Sequence, residues 1–250
     1  MDPVILPLCL LGVVGGGGAC LYGWLVEKEE DLLKKVPLTP AAALERGRQA
    51  IVSGTANSPA PARGPVSGKP CAYYQEELQV RRMRRTEGTW QVEHVLDGGG
   101  FFVEDPGGKA FVAPAGAKLQ FVERTAEGRE GAGFADGDTW TRERRIELGD
   151  AVTVLGTPHS LVDLLESMRS RPGGPTLPAE MIDYLLRLRS AGEDPPCFFC
   201  DGAPFLLSGE GYEAFREDLE SSANAYLSVG LMIAGLSAFV LAAWFFGFIR

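Results

Sequence analysis

The sequence predicts a membrane-anchored α+β protein in which a mainly antiparallel β-barrel or sandwich-like domain, carrying a small helical insertion, is held between two transmembrane helices. Three observations carry that expectation. Each end of the chain is an uncharged apolar run, the middle is cut by Gly and Pro into short β-branched and aromatic segments, and two later stretches show helical periodicity. The expected organisation is a first transmembrane helix and flank over 1–30, a β domain over 31–157, and a helical insertion over 158–196. A CxxC turn, closing strand and juxtamembrane helix follow over 197–224, and a second transmembrane helix over 225–250.

Residues 4–26 read VILPLCLLGVVGGGGACLYGWLV. This uncharged run has about the length that crosses a ~30 Å hydrocarbon layer as a helix. The acidic and basic residues Glu27 to Asp31 end it, and Tyr22 and Trp24 lie near that end, where amphipathic rings favour the headgroup boundary. A cleaved signal peptide is the competing reading, yet only Asp2 stands where a basic region is needed and the apolar stretch is too long. Gly17, Gly18 and Ala19 before Cys20 also resemble a lipoprotein cleavage site, without its branched apolar residue. Residues 225–249, AYLSVGLMIAGLSAFVLAAWFFGFI, are again uncharged, with Tyr226 at one end, Trp244 and Phe245 towards the other, and Arg250 at the close. A core helix of a soluble protein does not stay apolar on every face for so long.

Small residues recur four apart in both runs: Gly12 with Gly16, Gly230 with Ala234, Ala238 with Ala242. This spacing lets helices approach closely in lipid, so the two helices pair with each other, or copies of the chain form a homo-oligomer, or the small residues are background. Two crossings put both termini on one side. Lys28, Lys34, Lys35, Arg46 and Arg48 follow the first run, which favours a cytoplasmic domain, while Arg250 weighs weakly the other way.

Over the 250 residues the formal net charge is −9, which argues against general nucleic-acid binding because that requires a basic face. Of five cysteines, Cys9 and Cys20 lie in the first apolar run, leaving Cys71, Cys197 and Cys200 between the runs. An odd set of three is a poor disulfide scaffold.

Strands are expected over 49–56, 71–83, 89–95, 101–104, 110–113, 119–123, 141–148 and 151–155, separated by breaks at 58–70, 97–100, 105–108 and 128–137. The piece around Asp105-Pro106-Gly107-Gly108 reads as a hairpin, since Pro presets one turn angle and Gly accepts positive φ. Residues 161–168 and 179–188 read as short amphipathic helices, with Leu161, Leu164, Leu165 and Met168 on one face and Met181, Leu185 and Leu188 on the other's. A closing strand over 205–208 and a helix from Tyr212 into the second apolar run complete the chain.

Cys197-Phe198-Phe199-Cys200 is the most distinctive local motif. Its spacing suits half of a zinc site, a dithiol redox pair, or a turn with buried inert thiols, and a full zinc site would need Cys71, His94 or His159 to converge on it. Arg81, Arg82, Arg84 and Arg85 form the one dense basic patch, read either as a lipid or partner contact or as a solvated hairpin tip balanced by Glu76, Glu77 and Glu87. His94 and His159 have no triad partners at motif spacing, and no phosphate loop, dinucleotide fingerprint or zinc-protease helix occurs. No catalytic or cofactor-binding residue is expected.

Arg63-Gly64-Pro65-Val66-Ser67-Gly68-Lys69-Pro70-Cys71-Ala72-Tyr73-Tyr74, then Trp90, then Phe102-Val103-Glu104-Asp105 with Gly108, then Glu147-Leu148-Gly149-Asp150-Ala151-Val152-Thr153-Val154-Leu155-Gly156, together resemble the GIDE domain. This beside-a-membrane domain occurs in mitochondrial RING-type E3 ubiquitin ligases and in prokaryotic proteins. The resemblance covers roughly 42–156 and resumes from Pro204. It implies an anchored domain that recruits a protein, joined in the eukaryotic members to a RING finger after the second span. A RING needs eight Cys or His ligands, and the residues between the apolar runs offer five, Cys71, His94, His159, Cys197 and Cys200. The expectation is therefore a RING-less, non-catalytic module that binds an unknown protein partner or the lipid surface. A part in a ubiquitin-ligase-like conjugation system, or thiol or zinc chemistry at Cys197 and Cys200, is the alternative.

Overall fold

The computed structural model describes residues 5–84, 87–120, 122, 124–131, 135–170 and 177–245. It divides into two compact units, one made of the two long terminal helices and the other of Val36–Tyr212. In the first unit, α1 (Ile5–Lys35) carries the first apolar run and α4 (Tyr212–Phe245) runs unbroken into the second, as the sequence predicted. Among the described residues one helix, Tyr212–Ala243, is long and apolar enough to cross a membrane, where the sequence predicted two. The expectation for 4–26 falls partly outside the described residues, as do 246–250 of the second run.

The small residues of α1 and α4 face each other. A Cβ added at Gly16 would lie 2.7 Å from Ala234 N and 2.8 Å from Gly230 O, so glycine there lets the backbones touch. Gly23 meets Leu227, and Tyr22 packs edge-on against Tyr226 with ring centroids 4.6 Å apart. Of the alternatives open in the sequence, pairing within the chain is the one this unit adopts.

The second unit is mixed α+β, as predicted, but its sheets are open and no closed barrel forms. In chain order its strands are β1 (Ala50–Asn57), β2 (Ala62–Arg63), β3 (Pro70–Cys71), β4 (Tyr73–Arg84), β5 (Glu87–Gly99), β6 (Phe101–Asp105) and β7 (Gly108–Val112). Then come β8 (Lys118–Gln120), β9 (Arg124–Glu130), β10 (Thr139–Ile146), β11 (Ala151–Gly156), β12 (Pro158–His159), β13 (Cys197–Phe198) and β14 (Leu206–Ser208). Between β12 and β13 lie the helices α2 (Leu161–Ser170) and α3 (Ala179–Ser190). The expected linker 171–175 between them lies outside the described residues.

An eight-stranded sheet runs in the order β12-β13-β7-β6-β1-β11-β14-β8. It is antiparallel except where β13 joins β7 and β14 joins β8. Cover rather than closure protects it. On one face Val52, Phe101, Val103, Ala110, Val112, Val152, Val154 and Phe198 form the main core. On the other, Phe102, Phe111, Ala113, Cys197 and Phe199 pack against Leu161, Leu164 and Leu165 of α2 and Met181, Leu185 and Leu188 of α3. Burial on both faces explains why β6 and β7 read as continuous apolar runs instead of alternating ones. The exposed rims are limited to the short strands β12 and β8.

A second sheet, β5-β4-β10-β9, is fully antiparallel and built from longer strands. Its base enters the main core through Ala72, Tyr73 and Ile146, and the rest carries polar and charged side chains on both faces. The sequence read 128–137 as a break, yet β9, RTAEGRE, pairs along its length with β10. Its residues are mostly exposed, so no apolar alternation marks it.

Local chemistry fixes the remaining joints. In the β6–β7 hairpin Asp105 Oδ1 accepts N–H bonds from Gly107 at 2.7 Å and Gly108 at 2.8 Å. Neither glycine has positive φ, so the Asp side chain, and not the expected glycine freedom, holds this turn. Ser160 and Asp163 exchange hydrogen bonds at the start of α2, a reciprocal cap. At the end of α3, Gly192 takes φ +79°, with Glu193 N bonded to Leu188 O and Gly192 N to Arg189 O.

Candidate interaction surface

The segment Gly64-Pro65-Val66-Ser67-Gly68 is a tight loop closed by Gly68 N donating to Gly64 O at 2.9 Å. It is organised around one carboxylate. Glu143, fully buried on β10, accepts from Val66 N at 2.8 Å, Ser67 N at 3.0 Å and Ser67 Oγ at 2.6 Å. Buried Arg145 pairs with Glu143 at 3.3 Å and with Glu147 at 3.0 Å. Burial pushes the Glu143 carboxyl up, but the bonds from Ser67, Val66 and Arg145 outweigh it and hold its pKa below the ordinary range. A side chain at position 64 would collide with Glu143 Oε1, so this glycine is required by the close approach. Nothing in residue spacing announces the contact, since Val66 and Glu143 are 77 residues apart.

The thiols of the CxxC motif do not converge. Cys197 and Phe199 belong to the cluster under α2 and α3, whereas Phe198 and Cys200 pack with the main core, because residues three apart in extended chain point to opposite faces. No disulfide joins them. The buried Cys197 thiol donates to Pro195 O at 3.3 Å, and burial, reinforced by Asp194, pushes its pKa up. Cys71 is likewise buried, on β3 where it pairs with Ala62 of β2, and burial, then Glu143, pushes it up to about 11. Thiols so placed are poor nucleophiles and poor metal ligands at neutral pH. Among the described residues no group of three or more His, Cys, Asp and Glu is placed to hold a metal ion.

Of the basic patch, Arg85 and the Arg84 side chain lie outside the described residues. Arg82 pairs with Glu93 across β4 and β5 at 2.9 Å, both about half exposed, which is worth little in water. Arg81 instead joins an array the sequence did not show. Its guanidinium lies 5.9 Å from the ring of Trp90, Trp90 meets Trp140 edge-on at 6.2 Å, and Arg129 lies 5.2 Å from the Trp140 ring. The pairing Arg81↔Trp90 and Trp140↔Arg129 places these residues on one face across all four strands. Two covered donors there, Trp140 Nε1 and Arg142 Nε, reach no acceptor among the described residues. A face of aromatic rings and guanidinium donors suits an anionic or polar partner surface.

A further feature was invisible in the sequence. His159 on β12 contacts Asp201 at 2.9 Å and stacks near Phe199 at 4.7 Å, lining an open groove of about 270 Å³ with Asp163 and Glu166. Burial raises the Asp201 carboxyl, but the Ala203 N–H and His159 outweigh it and hold its pKa low. Residues 42 apart leave no spacing signal for such a pair.

Comparison with known protein families, with curated proteins and with solved structures finds no match to this chain.

Proposed function

We propose that this chain is a membrane-anchored, GIDE-like interaction module, and that its working surface is the arginine–tryptophan face of the four-stranded sheet. The observation that carries the reading is the Arg81, Trp90, Trp140 and Arg129 array, with unmet donors on a sheet whose base is firmly seated in the core. Anchoring is supported by the apolar helix Tyr212–Ala243 and by the uncharged run 4–26, which together make a two-pass arrangement with the domain on the cytoplasmic side by the bias of Lys28, Lys34 and Lys35. The order of the motifs around Gly64, Trp90, Asp105 and Asp150 supports the family reading. Thiol or zinc chemistry at Cys197 and Cys200 is the weaker reading, because the two side chains pack into different clusters.

The test is a photo-crosslinking residue placed at position 140 of the full chain in native membranes. The reading predicts a crosslinked partner that disappears in Arg81→Glu/Arg129→Glu and persists in Cys197→Ser/Cys200→Ser. Loss in the cysteine variant with retention in the arginine variant reverses the assignment.

A further inference from the structure

The far part of the four-stranded sheet has two free edges of different character. On β9, Arg124, Glu127, Arg129 and Glu130 are all exposed, and such a charged row discourages pairing with another strand. The other edge, β5, is 13 residues long and contains no Pro or Lys. Among the described residues outside the two long helices six large apolar side chains are exposed, and three of them, Val92, Val95 and Leu96, belong to β5. They do not make one greasy face. Pairing with β4 sets Val92 and Val95 on the side of Trp90 and Leu96 on the opposite side, with Glu93 as the extra residue of a bulge. Apolar groups on both sides of an open edge are what an added strand covers, since its own side chains alternate across the sheet in the same way.

We infer that a second copy of this chain supplies that strand, β5 pairing antiparallel with β5 about a two-fold axis between Glu93 and His94. The central residues of β5 are complementary to their own reverse in this register, while further out Gln91 falls opposite Leu96 and Trp90 opposite Asp97. Val92 falls opposite Val95 of the second copy, and Glu93, which also pairs with Arg82, opposite His94, so apolar meets apolar and the imidazole meets a carboxylate at the centre. Antiparallel pairing keeps facing residues on the same side, so the Trp90 faces of the two sheets become continuous. A self-complementary patch repeated by a two-fold axis is the commonest form of closed assembly. The small-residue stripes of α1 and α4, the other self-association surface, are already packed on each other around Gly16 and Gly230. This inference does not depend on which partner the arginine–tryptophan face binds.

The experiment uses the full chain in nanodiscs, with the protein mass per particle read by light scattering and the register read by oxidative crosslinking. Wild type is expected to hold two copies per particle. Val95→Lys/Leu96→Lys, on exposed positions, is expected to halve the protein mass with an unchanged circular dichroism spectrum. Co-expressed Val92→Cys and Val95→Cys chains are expected to crosslink, and neither variant alone above the wild-type background. One copy per wild-type particle overturns the inference. So do two copies that survive the lysine substitutions without the mixed crosslink, and so does dissociation by Gly15→Leu/Gly18→Leu alone, which would move the contact to the membrane helices.

Discussion

The two large sheets of the Val36–Tyr212 unit solve the same problem, unpaired strand edges and exposed faces, in opposite ways. The eight-stranded sheet is covered on both sides over β6, β7 and β13 and ends in strands of two and three residues. The four-stranded sheet is seated in the main core at its base, through Tyr73 and Ile146, and its long strands extend with polar and charged groups exposed and aromatic and guanidinium groups half-buried. The first arrangement spends its apolar residues on stability. The second keeps them in reach of a partner, so a residue's sheet decides whether its loss is felt in folding or in binding.

The largest effect should come from the covered sheet. Phe198→Ala removes a fully buried ring and should cost about 3–5 kcal/mol, read as a fall in the denaturation midpoint. Glu143→Ala tests the seam between the sheets. It removes the buried partner of Arg145, leaving Glu147 alone to balance it, strips the 64–68 loop of its acceptor, and should cost about 3 kcal/mol, with that loop becoming protease-sensitive. The same carboxylate sets the pH response. Glu143, Asp163 and Asp201 have native pKa values below their unfolded ones, so their contribution is complete above roughly pH 5 and is lost as pH falls towards the native values. A melting series from pH 7 to acid should show that loss, and it should be blunted in Glu143→Gln.

Smaller effects sharpen the contrast. Ser160→Ala removes the cap of α2 and should cost about 1 kcal/mol. Val92→Ala, on the open edge, should change stability by less than about 0.5 kcal/mol. A large loss of stability on Val92→Ala would mean that the far half of the four-stranded sheet is part of the folding core, and the comparison would fail.

What the sequence made legible follows the same division. Leu161, Leu164 and Leu165, and Met181, Leu185 and Leu188, announced α2 and α3 through helical spacing that the core then used. Strands β1, β6, β7 and β11 were equally plain, because buried strands need apolar residues. The edge strand β9 was missed for the converse reason, and the length of β5 was underestimated past Val95, where Asp97, Gly98 and Gly99 look like a turn but still pair with β4. The CxxC spacing left a zinc site, a redox pair and buried inert thiols all open, and it did not show that Cys197 and Cys200 pack into different clusters. Phe198 and Phe199 between the thiols could have signalled extended chain, in which Cys197 and Cys200 diverge. The Trp90–Trp140 contact and the Glu143 cradle depend on pairing between distant strands, which one sequence does not encode locally.

Amide hydrogen exchange on the full chain, compared between dilute detergent and membranes, tests most directly whether the four-stranded sheet is a surface awaiting cover. The account predicts that β1 and β11 amides are protected equally in both, whereas the amides of 90–96 that point away from β4 exchange quickly in dilute detergent and become protected in the membrane. Fast exchange of those amides under both conditions would contradict it.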